Sequence, residues 1–228
     1  MKITLPPLLS LNAGYVDTAG YLALNGLFTA HVTGNFVTFG AALVNGTTGA
    51  LGKLLALPVF CIVIVVTRLL AYRLSRGGQP VLRTMLWLQF GLLSVGAVLA
   101  IALGPFTNGD GWPALITGMV LVSAMAIQNA AHRIHLASAP PSTLMTGTTT
   151  QIMIDLADLI HGVAGEKHAA ALARVSRMSL SLGMFAAGCG MAALFYVAVR
   201  EWCFLIAPAI ALFTPWVRTG APDPDLAY

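Results

Sequence analysis

The chain has 228 residues, 57% of them hydrophobic and 9% charged, with a formal net charge of +4 and a mean hydropathy of +0.83. Soluble domains average roughly 25% charged residues, so the composition excludes an ordinary water-soluble domain and points to an integral membrane protein. An excess of Lys and Arg would suggest nucleic acid in a soluble chain; here the bases sit in short loops between apolar runs, where they set orientation.

Residues 1–7 lack the charged region, unbroken apolar core and small-residue cleavage site of a removable leader, and are read as retained. A first span over about 9–28, starting in the cytoplasm, carries Asp17. A carboxylate at membrane depth costs about 2.5–3.5 kcal/mol on insertion scales, so it is expected to be paired, protonated or functional. Sixteen residues after Asp17 comes Thr33-Gly34-Asn35, a hydroxyl, a glycine and an amide where irregular chain turns into helix. The helix that follows, to about Leu43, is read as a half-helix entered from outside, because residues 45–50 are polar and uncharged. A span over 53–73 then leads to the basic stretch of Arg68, Arg73, Arg76 and Arg83, placed in the cytoplasm by the positive-inside rule. The span over 84–103 returns outward to residues 104–112, which hold Asp110 and no base.

The second half repeats this pattern. A span over 113–134 carries Gln128 and Asn129 and ends at His132, Arg133 and His135, with Pro140 and Pro141 forbidding continuation. Seventeen residues after Asn129 comes Thr146-Gly147-Thr148, opening an apolar segment over 145–160. If that segment crossed the membrane, Lys167, Arg174 and Arg177 in the following loop would lie outside; a re-entrant half-helix removes the conflict. Spans over 178–198 and 203–217 follow, then Arg218 and a short disordered tail at 221–228.

The expected fold is an all-α integral membrane protein, one polytopic domain over 1–228. It comprises two inverted repeats, about 9–104 and 113–218, each of three transmembrane helices plus one re-entrant half-helix. Both termini are then cytoplasmic. The alternative is eight full spans with parallel repeats.

Thr33, Gly34, Asn35, Thr146, Gly147 and Thr148 are the expected substrate-binding residues. Free N–H groups and the positive dipole end of a helix start favour an anion or a carbonyl. Gln128 and Asn129 add neutral hydrogen-bonding groups at the position Asp17 holds in the first half. Asp17, with Arg133 as its ion-pair partner, is the candidate coupling or gating pair, and His31 can titrate near neutral pH. Packing or capping is the competing reading for each. Asp155, Asp158 and His161 recur every three residues, but the third drifts off the shared helix face, so no metal is expected. Cys61, Cys189 and Cys203 lie in apolar runs without paired spacing and are read as small core residues. Gly183, Ala187, Gly188 and Gly190 form a small-residue face for close packing, within the monomer or in a homodimer. No hydrolase, metalloprotease, P-loop or lipid-phosphotransferase motif is present, so neither catalysis nor a cofactor is expected.

Through Asp17 with its neighbours Gly14 and Tyr15, through 28–35, and through Gln128–Arg133 followed by Thr146-Gly147-Thr148, the chain resembles the YoaK-like family of small bacterial membrane proteins, a domain of unknown function. His31 stands where that family usually has Asn, and Ser142-Thr143 where it has Thr-Thr. The resemblance implies a bacterial inner-membrane protein of about this length and supplies no substrate. From the site residues, the expected function is a small secondary transporter for a polar or anionic solute, with proton coupling. The alternatives are a passive channel and a non-transporting scaffold.

Overall fold

The structure, a computed structural model, describes residues 4–219. The tail expected at 221–228 and residues 1–3, expected to be retained, lie outside the described residues.

Eight α-helices follow in order: α1 (Leu5–Ala23), α2 (Asn35–Asn45), α3 (Ala50–Arg76), α4 (Val81–Leu103), α5 (Trp112–His135), α6 (Met145–His161), α7 (Glu166–Val199) and α8 (Ile206–Phe213). Short 3₁₀ turns precede α2 (Val32–Gly34) and flank α8 (Arg200–Leu205 and Thr214–Trp216). Pro6 and Pro7 open α1, where their missing N–H groups cost nothing. Helix α2 stops at Gly46, whose φ of 63° is left-handed and closes the helix by an N–H to the Ala42 carbonyl.

Among the described residues, four stretches are long and apolar enough to cross a membrane: α3, α4, α5 and the run Glu166–Trp216. At 1.5 Å per residue α2 is roughly 16 Å long, about half of a 30 Å hydrocarbon core. Helix α7, with 34 residues, is roughly 51 Å and overshoots the same core. Residues 166–177, expected as a connecting loop, are therefore a charged helical extension of α7. The expected last span over 203–217 is helical through Trp216, with α8, 8 residues long, between two 3₁₀ turns. Pro208 inside it removes one helical donor.

The packing is reciprocal between halves. Helix α1 lies against α7 and α5 lies against α3; α2 packs on α3 as α6 packs on α7; α4 meets both α5 and α8. Close contact of α1 and α7 depends on two glycines, because a Cβ on Gly14 would run into the Phe185 carbonyl and one on Gly188 into the Leu11 carbonyl. Gly183 and Gly190, expected on the same packing face, have open space. The main core is built from α1, α5 and α4 residues such as Tyr15, Val16, Leu93, Leu121 and Met125, and the Tyr15 hydroxyl donates to the Cys203 carbonyl at 2.8 Å. Cys203 is buried as expected, whereas Cys61 is exposed.

The bundle has two distinct ends. At one, the Leu5 N–H donates to the Arg218 carbonyl at 2.9 Å, Leu5 and Leu9 pack on Leu86 and Leu136, and the Arg83 guanidinium lies 5.9 Å from the Trp216 ring centre. At the other, Asp110 accepts from the N–H groups of Gly49 (2.9 Å) and Leu51 (2.8 Å), and the Lys53 ammonium donates to the Asn25 carbonyl at 2.8 Å. Gly49, at φ 92°, is in a conformation few other residues adopt. Arg73, Arg76, Arg83, Arg133 and Arg218 fall toward the first end.

Candidate functional site

The two polar residues singled out by the sequence occupy matching places. Asp17 lies six residues before the end of α1 at Ala23, and Asn129 six before the end of α5 at His135, roughly 9 Å in from each helix end. After each helix the chain turns back to that level. Oδ1 of Asp17 accepts from the backbone N–H groups of Thr29 (2.8 Å), Ala30 (2.7 Å) and His31 (3.3 Å). Oδ1 of Asn129 accepts from the Thr143 hydroxyl at 2.7 Å, while its Nδ2 donates to the Met125 carbonyl at 2.9 Å. In each half a threonine of the returning segment is fastened to the helix the chain has just left.

Asp17 is 4% exposed, and its carboxylate is held by the turn that leads into α2. The expected pair with Arg133 does not form. A buried acid needs compensation; here adjacent backbone N–H groups supply it, so Arg133 is free to stand elsewhere. Asp155, fully buried, is the acid that finds an arginine: Arg174 donates to both its oxygens, at 2.7 and 2.6 Å, and Gln151 adds a third bond at 2.9 Å.

Several expected substrate contacts are committed to the protein itself. Asn35 is 1% exposed; its Nδ2 donates to the Phe28 carbonyl at 2.8 Å and its Oδ1 accepts the Phe28 N–H at 2.9 Å, closing the turn before α2. Thr148 donates to the Leu144 carbonyl at 3.3 Å. Gln128, fully buried, donates to the Leu9 carbonyl (3.0 Å) and the Ser142 hydroxyl (3.1 Å) and accepts from Gln89 at 2.6 Å. Thr33, Thr146 and Gly147 are exposed, Gly34 is half-buried, and His31 lies 6.2 Å from the Phe28 ring, centre to centre. The starts of α2 and α6 rest on different helices, α3 and α7.

Two cavities bear on the site. One, of about 720 Å³, is a groove along α6 lined by Thr146, Thr149, Thr150, Met153 and Ile154 among others. The other, of about 630 Å³, lies between α3, α5 and residues 137–144, and brings together Asn129, Arg133, Thr143 and Arg68 with the apolar Phe60, Ile64 and Val65. Neither of these two draws residues from both half-helix motifs. Sequence reasoning missed Thr143 and Arg68. Thr143 could have been found by aligning the halves on Asp17 and Asn129, which brings it near Thr29. Arg68 was read only as an orientation signal, although it lies eight residues inside the end of α3.

The family model described as "Protein of unknown function (DUF1275)" matches residues 5–216. The UPF0700 transmembrane protein YoaK of Bacillus subtilis (strain 168) is 30% identical over 168 residues, covering 67% of this chain and 66% of that protein, just under two thirds of its length. No solved structure matches. Together with four apolar membrane-length stretches, these matches make the protein an all-helical, multi-pass membrane protein that belongs to the DUF1275 family of proteins of unknown function.

Proposed function

We propose that the protein is a small secondary transporter that moves a polar or anionic solute by alternating access between two inverted halves. The observation that carries this reading is the pair of returning segments. Each brings irregular backbone roughly 9 Å inward from a helix end, fastens it to Asp17 or Asn129, and ends in the start of α2 or α6. Irregular backbone at membrane depth survives only where protein or a watery cavity satisfies it. Paired broken segments in related halves are how many transporters build a central site.

Reciprocal packing of α1 with α7 and of α5 with α3 supports the two-half arrangement, and the roughly 16 Å length of α2 argues against eight full crossings. The bases gathered at the end that holds Leu5 and Arg218 favour both termini in the cytoplasm of a bacterium, by the positive-inside rule. Among the expected residues, Asn129 and Arg133 are the ones this reading places on the solute path, because they line the 630 Å³ cavity.

A passive facilitator is the second reading, and one observation favours it. Asp17, the candidate coupling acid, is held by three backbone donors as a fixed pin, and no acid lines the cavity. Screening metabolite classes for thermal stabilisation of the purified protein, then following each stabilising compound into proteoliposomes with and without a pH gradient, separates the readings. Accumulation above equilibrium supports secondary transport, and equilibration alone supports the facilitator. No protein-dependent flux of any stabilising compound overturns both.

A further inference from the structure

We infer that the cavity between α3, α5 and residues 137–144 holds an amphipathic anion, a phosphate or carboxylate group carried on an apolar body, with the anionic group at Arg68 and Arg133. The inference rests on the transport reading for its role and names the class of solute.

The sign of the charge comes first. Both arginines line the cavity and none of its lining residues is acidic. Arg68 leans on a neutral neighbour: its Nη2 donates to the Tyr72 hydroxyl at 3.0 Å and its guanidinium sits 4.3 Å from the Tyr72 ring centre. Neither arginine has a carboxylate at ion-pairing distance among the described residues. Two arginines lining one cavity without an acid are suited to a carboxylate or phosphate, which guanidinium groups can grip through paired N–H donors.

The contrast between halves points the same way. In the first half the turn into the short helix already has its anion, the Asp17 carboxylate, on which three backbone N–H groups converge. In the second half Asn129 stands there, neutral, and accepts from a hydroxyl instead. Helix α6, which like α2 begins with no side-chain cap, starts beside the cavity at Leu144, so the positive end of its dipole adds to the attraction for an anion there. His132 also borders this space; it is 6% exposed and its Nδ1 has no hydrogen-bond partner among the described residues. The first half carries its negative charge in the chain, and the second leaves the place for one that arrives from outside.

The walls set the rest of the ligand. Phe60, Ile64, Val65 and Leu144 line a space of about 630 Å³, within the roughly 300–1,000 Å³ of small-molecule sites. Inorganic phosphate alone would leave those walls against water, whereas an alkyl or aryl body covers them.

The test uses the full-length protein purified in a neutral detergent. Octyl phosphate is the probe, octanol its uncharged control and sodium phosphate the headgroup alone; phosphatidylglycerol against phosphatidylcholine forms the lipid arm. Octyl phosphate is expected to raise the unfolding temperature saturably, with octanol and sodium phosphate far weaker. In the double variant Arg68→Gln, Arg133→Gln the affinity is expected to fall by about tenfold or more, whereas Arg73→Gln, outside the cavity, leaves it unchanged. Saturable binding of phosphatidylglycerol that octyl phosphate displaces also supports the anion site and assigns its source to the bilayer. Equal stabilisation by octanol, or a double variant that binds as the parent does, overturns the proposal. Binding is read at equilibrium, so an intact anion site without flux refutes transport and leaves the site standing.

Discussion

At the scale of single residues, Asp17 shows how a membrane protein keeps a carboxylate without a cation. Hydrogen bonds to a charged group are worth about 1.5–3 kcal/mol each, against about 0.5–1.5 for neutral ones. Asp17→Asn keeps an acceptor and loses the charge, so it is expected to destabilise by about 1–3 kcal/mol. Asp17→Ala leaves the N–H groups of Thr29, Ala30 and His31 without their acceptor and is expected to cost distinctly more. Thermal unfolding in detergent checks the order; equal midpoints for the two variants would show that the carboxylate does not pin the turn. Buried Asn35 invites a similar test, since Asn35→Ala unpairs both backbone groups of Phe28 and should lower the midpoint, while Thr33→Ala, at an exposed position, should not. Asp17 was legible as a buried acid needing a partner. Its partners were not, because ion-pair reasoning looks for side chains, and converging backbone N–H groups leave no letter in the sequence.

At the scale of helices, two contacts decide how the bundle closes. Gly14 and Gly188 let α1 and α7 approach until each glycine faces the other helix's backbone. Gly188→Ala should therefore push the helices apart and reduce thermal stability strongly, whereas Gly190→Ala, facing open space, should behave as the parent. The second contact is the Arg174 fork on Asp155, which ties α6 to the charged extension of α7. Arg174→Gln removes the cation that covers and pairs Asp155, and hydrogen exchange is expected to speed up over 145–161 while α1 stays protected. Adding Asp155→Asn should restore part of that protection, since a neutral amide is less costly to bury unpaired. The sequence made the small-residue face visible but not which glycine meets backbone, a matter of rotation about the helix axis. It also misled at 166–177, where Lys167, Arg174 and Arg177 suggested a loop. Ala169 to Ala173 are strong helix formers, and a helix that leaves the bilayer can carry charges freely.

For the whole molecule, the pairing of Leu5 with Arg218 sets both chain ends beside the basic turn between α3 and α4, and Asp110 marks the opposite end. In a cysteine-free background, a single cysteine at Thr107 should react with a membrane-impermeant maleimide from outside intact cells. One at Gln79 should react only after the cells are opened; the reverse pattern would invert the proposed orientation. The repeated Asp17 and Asn129 spacings suggested two related halves before any coordinates, and the reciprocal packing supports that reading. The cavity was not legible, because its walls come from α3 and α5, one helix from each half, and spacing along the chain carries no record of which helices meet. That exchange of partners has a further consequence for how the protein is made. Helix α1, bearing Asn12 and Asp17, is made before α7, yet α7 is its principal neighbour. Until α7 arrives, α1 is an unsheltered guest in the bilayer, dependent on the insertion machinery to hold it. A chain terminated after Gly165 should accordingly be cleared by membrane proteases, because it lacks α7, the main neighbour of α1.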